Sequence, residues 1–179
     1  FPLRGHRDPV RGDRAAGRGD RPDQGCLLMI PKLAGLFLVL VCEDMGVKQY
    51  IEDSFQEKEE RETLIPSVVL RKVYNRGFLL DALDQHPELV RGSSLLLGAG
   101  VLVYDVWLFL QKGRKLRKLG MAFLSAGALS NIYDRVIRGK VIDYIGFRSK
   151  YKFLSRITAN LADFYVVIGG VLAALGRKK

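Results

Sequence analysis

Residues 157–175 read ITANLADFYVVIGGVLAAL, and from Asp163 onward they are apolar around most of a helical circumference. A helix lying against water needs a polar stripe, and this one has none. Its Gly169-Gly170 pair is of the small-residue kind that lets membrane helices approach closely. Upstream, 94–110 reads SLLLGAGVLVYDVWLFL, with Asp105 as its sole charge and Tyr104 and Trp107 suited to an interface. Two further apolar blocks, 33–42 (extendable to Leu27) and 119–133, reach the ~20 residues that cross ~30 Å of hydrocarbon only by taking in polar neighbours. A soluble bundle with buried helices is the alternative, since apolar blocks of this length are ordinary there. The expectation is four transmembrane helices over 93–110, 157–175 and the two extended blocks.

The chain has 179 residues, 48% hydrophobic and 27% charged, which is one domain and excludes a low-complexity polymer. Its formal charge of +10 comes from Lys and Arg placed mostly between the apolar blocks. The loop QKGRKLRK (111–118) and the tail Arg177-Lys178-Lys179 fall on one side of a four-span topology, which the positive-inside rule makes cytoplasmic together with both termini. Nucleic-acid binding is not expected, because the basic residues sit in loops without aromatic interleaving or a binding motif. Cys26, Cys42, His6 and His86 have no metal-ligand spacing, so neither a metal nor another cofactor is expected. Residues 1–28, rich in Arg, Gly, Asp and Pro, are expected to be a disordered or non-native N-terminal extension, and 29–179 the membrane domain.

Between the first two blocks, QEKEERE (56–62) reads as an exposed loop or helix turn, SVVLRKVYN (67–75) as a strand closed by a turn, and LLDALDQHPELV (79–90) as a short surface helix. Between the last two, 140–154 reads as short extended pieces around Gly146.

Carboxylates at the ends of spans are costly and need a reason. Asp44 and Lys48 end the first block at the i,i+4 spacing of a helical ion pair. Asp143 lies where the third block gives way to the outer loop, and Asp163 is placed about two turns inside the last helix, so a short returning loop can bring the two face to face. Two carboxylates at one water-accessible point can share a proton, one acting as base and the other as acid, as an aspartic peptidase requires. Asn131, Asp134 and Arg135 cluster at the end of the third helix, and Asn160 is placed on the face of Asp163. Amides and a guanidinium there can orient a peptide backbone. The contributions of Asp105 and Glu43 stay open.

These residues resemble the lipoprotein signal peptidases, or signal peptidase II, a family of bacterial integral-membrane aspartic peptidases. The family's stretch G-x-x-x-N-x-x-D-R-x-x-x-G-x-V-x-D-[FY] is met by Gly127, Asn131, Asp134, Arg135, Gly139, Val141, Asp143 and Tyr144. Its N-x-A-D is met by Asn160, Ala162 and Asp163, its D-x-x-x-K by Asp44 and Lys48, and its N-x-G by Asn75 and Gly77. Met45 and Ala159 depart from the usual residues. The resemblance implies four transmembrane helices with a small extracytoplasmic β-sheet cradle in a bacterial cytoplasmic membrane, the site at the outer face. It implies Asp143 and Asp163 as the catalytic pair, with Asn75, Asn131, Arg135, Asn160, Asp44, Lys48, Asp134 and Gly127 supporting the site or substrate. The implied partners are a diacylglyceryl-modified prolipoprotein and membrane lipid, with the oligomeric state open and a monomer compatible. The rival class is a non-enzymatic four-span protein whose carboxylates carry ions or protons.

Overall fold

A computed structural model describes residues 24–75 and 87–177. Four long helices, α1 (Gln24–Ser54), α2 (Pro87–Phe109), α3 (Lys115–Tyr133) and α5 (Leu161–Leu175), accompany a four-stranded sheet, β1 (Glu60–Glu62), β2 (Val68–Asn75), β3 (Val141–Phe147) and β4 (Thr158–Ala159). A π-helical turn, Asp134–Arg138, continues α3, and a short helix, α4 (Lys152–Arg156), precedes β4. The sheet runs in sequence order and is antiparallel throughout.

Helix α1 has 31 residues, a length of ~46 Å at ~1.5 Å per residue, which exceeds the ~30 Å hydrocarbon layer. Near its end Ile51, and Phe55 just beyond it, pack on Ile142 and Tyr144 of the sheet. Lower down, Leu40 meets Ala126 of α3 and Tyr165 of α5. Leu161 packs against both clusters, so the start of α5 is clamped at the joint between bundle and sheet.

Helices α3 and α5 approach closely because glycines face each other. A Cβ at Gly127 would collide with the Ala162 carbonyl, at Gly120 with the Ala173 backbone, and at Gly169 with the Leu124 backbone. Gly170, beside Gly169, faces open space. Helix α2 is different. Leu96, Leu97, Leu102, Val103 and Trp107 are exposed along it, an apolar surface that water does not tolerate at this extent.

Two buried lysines close helix C-termini, where the last carbonyls lack partners. Lys72 of β2 donates to the Glu52 and Phe55 carbonyls of α1 at 2.7 and 3.0 Å, and Lys118 of α3 donates to Gln111 O at 2.6 Å beyond the end of α2. A bulge in β2 between Leu70 and Val73 makes the first of these possible. It turns Lys72 toward α1 while Arg71 reaches over Gly146 to the Ser155 and Ile157 carbonyls.

Several expectations change. Among the described residues one helix, Glu88–Phe109, is long and apolar enough to cross a membrane, and α5 is a shorter apolar helix. The four long helices are present, but α1 and α3 carry charged and polar residues inward, which is why hydropathy alone does not mark them as spans. Helix α5 starts at Leu161 instead of 157, because 157–160 is drawn off into β4. The acidic run 56–62 supplies an edge strand, β1, and 140–154 holds one strand, Val141–Phe147, a short connection and the start of α4. Helix α1 begins at Gln24. Residues 1–23, the core of the 79–90 surface helix and Gly77 lie outside the described residues.

Candidate active site

Asp163 is the third residue of α5, not two turns inside it, and this position fixes its side chain. Asn160 is the N-cap, where its side-chain oxygen accepts the Asp163 N–H at 3.0 Å while its own N–H donates to Asp163 Oδ2 at 3.0 Å, a reciprocal capping box. The next two orphan N–H groups are also satisfied from elsewhere in the fold. Leu161 N–H donates to the Tyr144 hydroxyl at 3.1 Å and Ala162 N–H to Asp44 Oδ1 at 3.2 Å. With its first three N–H groups held by α1, β3 and its own cap, this helix end has little freedom to shift.

Asp143 reaches the same point from β3. Asn160 spends its amide N–H on Asp143 Oδ1 at 2.7 Å, so one residue bonds both carboxyl groups. Asn75 lies opposite Val141 on β2 and donates diagonally to Asp143 Oδ2 at 3.2 Å. Asn131, near the end of α3, donates to Asp163 Oδ1 at 2.9 Å. Each of the four carboxyl oxygens thus accepts from an amide. Burial first, and then the charge of Asp163, push the Asp143 carboxyl up to about 6, against the lowering effect of Asn75 and Asn160. The guanidinium of Arg135 lies in electrostatic reach of Asp163, Asp143 and Asp134, and donates to Asn131 O at 3.4 Å.

Behind the pair lies a second cluster built on Lys48. Its ammonium is 2.7 Å from Asp44 Oδ2 and 2.9 Å from Asp134 Oδ2, with all three side chains at 0–1% exposure. Ser130 Oγ and Asn131 Oδ1 complete the shell at 3.2 and 2.9 Å. Because Asn131 Oδ1 faces Lys48, its NH₂ must face Asp163, so the ammonium sets the amide's orientation. Arg138 donates to Asp134 Oδ1 at 3.2 Å. Tyr144 donates to Asp44 Oδ1 at 3.1 Å, and burial together with the Asp44 charge pushes its phenol above the ordinary range, which keeps it a donor.

Asp44, Lys48, Asn75, Asn131, Asp134, Arg135, Asp143, Asn160 and Asp163 meet at this joint. Gly127 sits apart from the carboxylates and acts through packing, since its bare Cα lets the first turn of α5 close on α3. Asn160 is a cap instead of a neighbour on one helical face. Ser130 is an additional member; it adjoins the motif residue Asn131, and that adjacency was the available signal. Tyr144, matched in the motif without a role, serves as a donor to Asp44. Glu43 accepts from the Tyr165 hydroxyl at 2.9 Å and Asp105 from Ser125, both away from the pair. Among the described residues no group of three or more His, Cys, Asp and Glu could hold a metal ion.

The family model described as Signal peptidase (SPase) II matches residues 36–177. The lipoprotein signal peptidase of Sinorhizobium fredii is 33% identical over 138 residues, covering 76% of this chain and 80% of that protein. Its counterpart from Neisseria meningitidis serogroup C is 34% identical over 142 residues, covering 78% and 85%. A solved bacterial membrane enzyme structure overlays with a TM-score of 0.67 at 20% identity, covering 86% of this chain and 87% of that one, which establishes the common fold. The chain belongs to the signal peptidase II family and is a membrane peptidase.

Proposed function

We propose that this chain removes the signal peptide from diacylglyceryl-modified prolipoproteins, cleaving before the lipid-bearing cysteine, and that Asp143 and Asp163 activate the water that does so. Asp143, whose carboxyl is pushed up to about 6, holds the shared proton at rest. Asp163 takes a proton from the water as its oxygen adds to the scissile carbonyl carbon, and Asp143 gives its proton to the carbonyl oxygen. In the collapse Asp143 recovers a proton from the resulting diol while Asp163 protonates the departing amine, which leaves the pair as it began. No covalent intermediate and no metal enters this sequence.

The observation that carries the proposal is Asn160. By bonding both carboxyl groups at 2.7 and 3.0 Å it ties the start of α5 to β3 and gives two acids from distant stretches of chain a common partner. Arg135 supplies positive charge beside the pair for a carbonyl oxygen that gains electron density. In this reading α1, α2, α3 and α5 all span the bacterial cytoplasmic membrane, both termini are cytoplasmic, and the sheet stands on the outer side. The lipid on the substrate then confines the scissile bond to the depth of the site, a gain in effective concentration.

The test is a processing assay in vesicles with a synthetic diacylglyceryl precursor in ¹⁸O-water. Cleavage before the modified cysteine, one ¹⁸O in the new carboxyl of the signal peptide, insensitivity to chelator and loss of turnover in Asp143→Asn and Asp163→Asn are expected. Retained turnover in either variant removes that residue from the reaction.

A further inference from the structure

The sheet has an end that the reaction does not use. The β1–β2 hairpin tip, 63–67, and the segment 148–156 after β3 lie side by side there, joined by Arg148 N–H donating to Ser67 O at 2.9 Å and by the Arg148–Glu62 ion pair at 2.9 Å. Large apolar side chains crowd this end without cover. Leu64 is fully exposed at 103%, and Ile65, Tyr151, Phe153 and Leu154 are exposed as well. Around them Lys150, Lys152 and Arg156 are exposed, and 148–156 contains no acidic residue. The nearby carboxylates Glu60 and Glu62 are engaged by Arg71 and Arg148.

This end is also close to the point where α5 begins. β4 pairs with Ile145 and Gly146, and β3 ends at Phe147, so the tip lies roughly 7 Å along the strand from the residues that lead into the α5 cap. Arg71 fixes the intervening segment by its bonds to Ser155 O and Ile157 O at 3.0 and 3.2 Å. The patch is therefore held at the level of a helix end whose own Phe164 is exposed.

We propose that this end of the sheet is a bilayer anchor: Leu64, Ile65, Tyr151 and Phe153 insert among the phospholipid headgroups of the leaflet on the active-site side, and Lys150, Lys152 and Arg156 hold anionic headgroups. Exposed aromatic and aliphatic side chains ringed by exposed basic ones are the chemistry of interfacial attachment. The consequence is a fixed height of Asp143 above the bilayer, since β3 carries both that residue and the anchored end. The proposal rests on the membrane topology given above.

The test is a depth measurement that needs no turnover. Trp107 is the sole tryptophan, so Phe153→Trp in a Trp107→Phe background gives one reporter, reconstituted in phosphatidylcholine–phosphatidylglycerol vesicles. A blue-shifted emission quenched at least about twofold by lipids brominated near the headgroup end is expected. Water-like emission, open to aqueous iodide and untouched by bromolipid, overturns the proposal, as does burial that appears only when prolipoprotein is added. In the processing assay, KM of the wild type should be about tenfold lower in anionic than in zwitterionic vesicles, and Lys150→Gln/Lys152→Gln/Arg156→Gln should abolish that preference. An unchanged preference in the triple variant overturns the electrostatic half. Absence of any cleavage by wild type counts against the catalytic reading and leaves the fluorescence result standing.

Discussion

Two pairs of aspartates lie in adjoining clusters and are kept in opposite ways. Asp44 and Asp134 flank an ammonium within 2.9 Å and are buried completely. Asp143 and Asp163 accept from amide N–H groups, of Asn75, Asn131 and Asn160. An ammonium in direct contact ties the first pair together across α1 and the end of α3. Amide dipoles orient the second pair without neutralising it, so burial and mutual repulsion raise Asp143 toward neutral pH, where a proton can be exchanged. Residue type is the same in both clusters, and the partner decides the role.

The largest effect that can break this comparison is on turnover. Asp143→Asn or Asp163→Asn should lower kcat by at least about 10³-fold while the melting midpoint in detergent holds or rises. A comparable drop in midpoint would show that these carboxylates are framework too. In the other cluster the order reverses. Lys48→Met leaves Asp44 buried without its cation and Asp134 with Arg138 alone, and should cost about 3–5 kcal/mol of stability, read by thermal unfolding; an unaffected midpoint would show that the ammonium is dispensable.

The pH dependence sharpens the contrast. Asp143 binds its proton more tightly folded, at about 6, than at the model-peptide value of 3.8. The folded state therefore holds the extra proton between those limits, and stability should fall as pH rises from about 4 to about 6 and level off above. The limb should flatten in Asp143→Asn, and kcat/KM of the free enzyme should decline as pH rises past about 6. A stability curve that climbs through this window contradicts the assignment. The smallest effect is expected from Gly127→Ala. Its methyl meets the Ala162 carbonyl and should cost about 1–3 kcal/mol by overpacking, with a fall in kcat as the first turn of α5 moves away from Asn131. Unchanged kinetics would show that the α3–α5 separation does not tune the pair.

Much of the site was legible because its residues occupy short, fixed spacings. Asp44 and Lys48 are one helical turn apart, and that local geometry is realised as a 2.7 Å ion pair. Asn160 and Asp163 are three apart, which fits one face of a helix and a capping box alike. The distinction depends on where the helix starts, and that was set by β4 pairing with β3, a contact invisible to a local window. Ser130, a common residue type, and Tyr144, visible only as a motif letter, have roles that arise from what lies opposite, the Asp44 carboxylate in both cases. The β1 strand was missed for the same reason, since QEKEERE has no strand pattern and becomes one only by pairing with β2.

The sequence by itself determined the apolar blocks and the acids and amides available for chemistry, because both follow from composition and from the fixed periods of helix and strand. Tertiary structure decided which aspartates are in contact with a lysine and which are bonded by amides beside a guanidinium. That choice is made by chain segments as far apart as α1, β3 and the start of α5, and an electrostatic environment is a property of what surrounds a group in space and not of its neighbours along the chain.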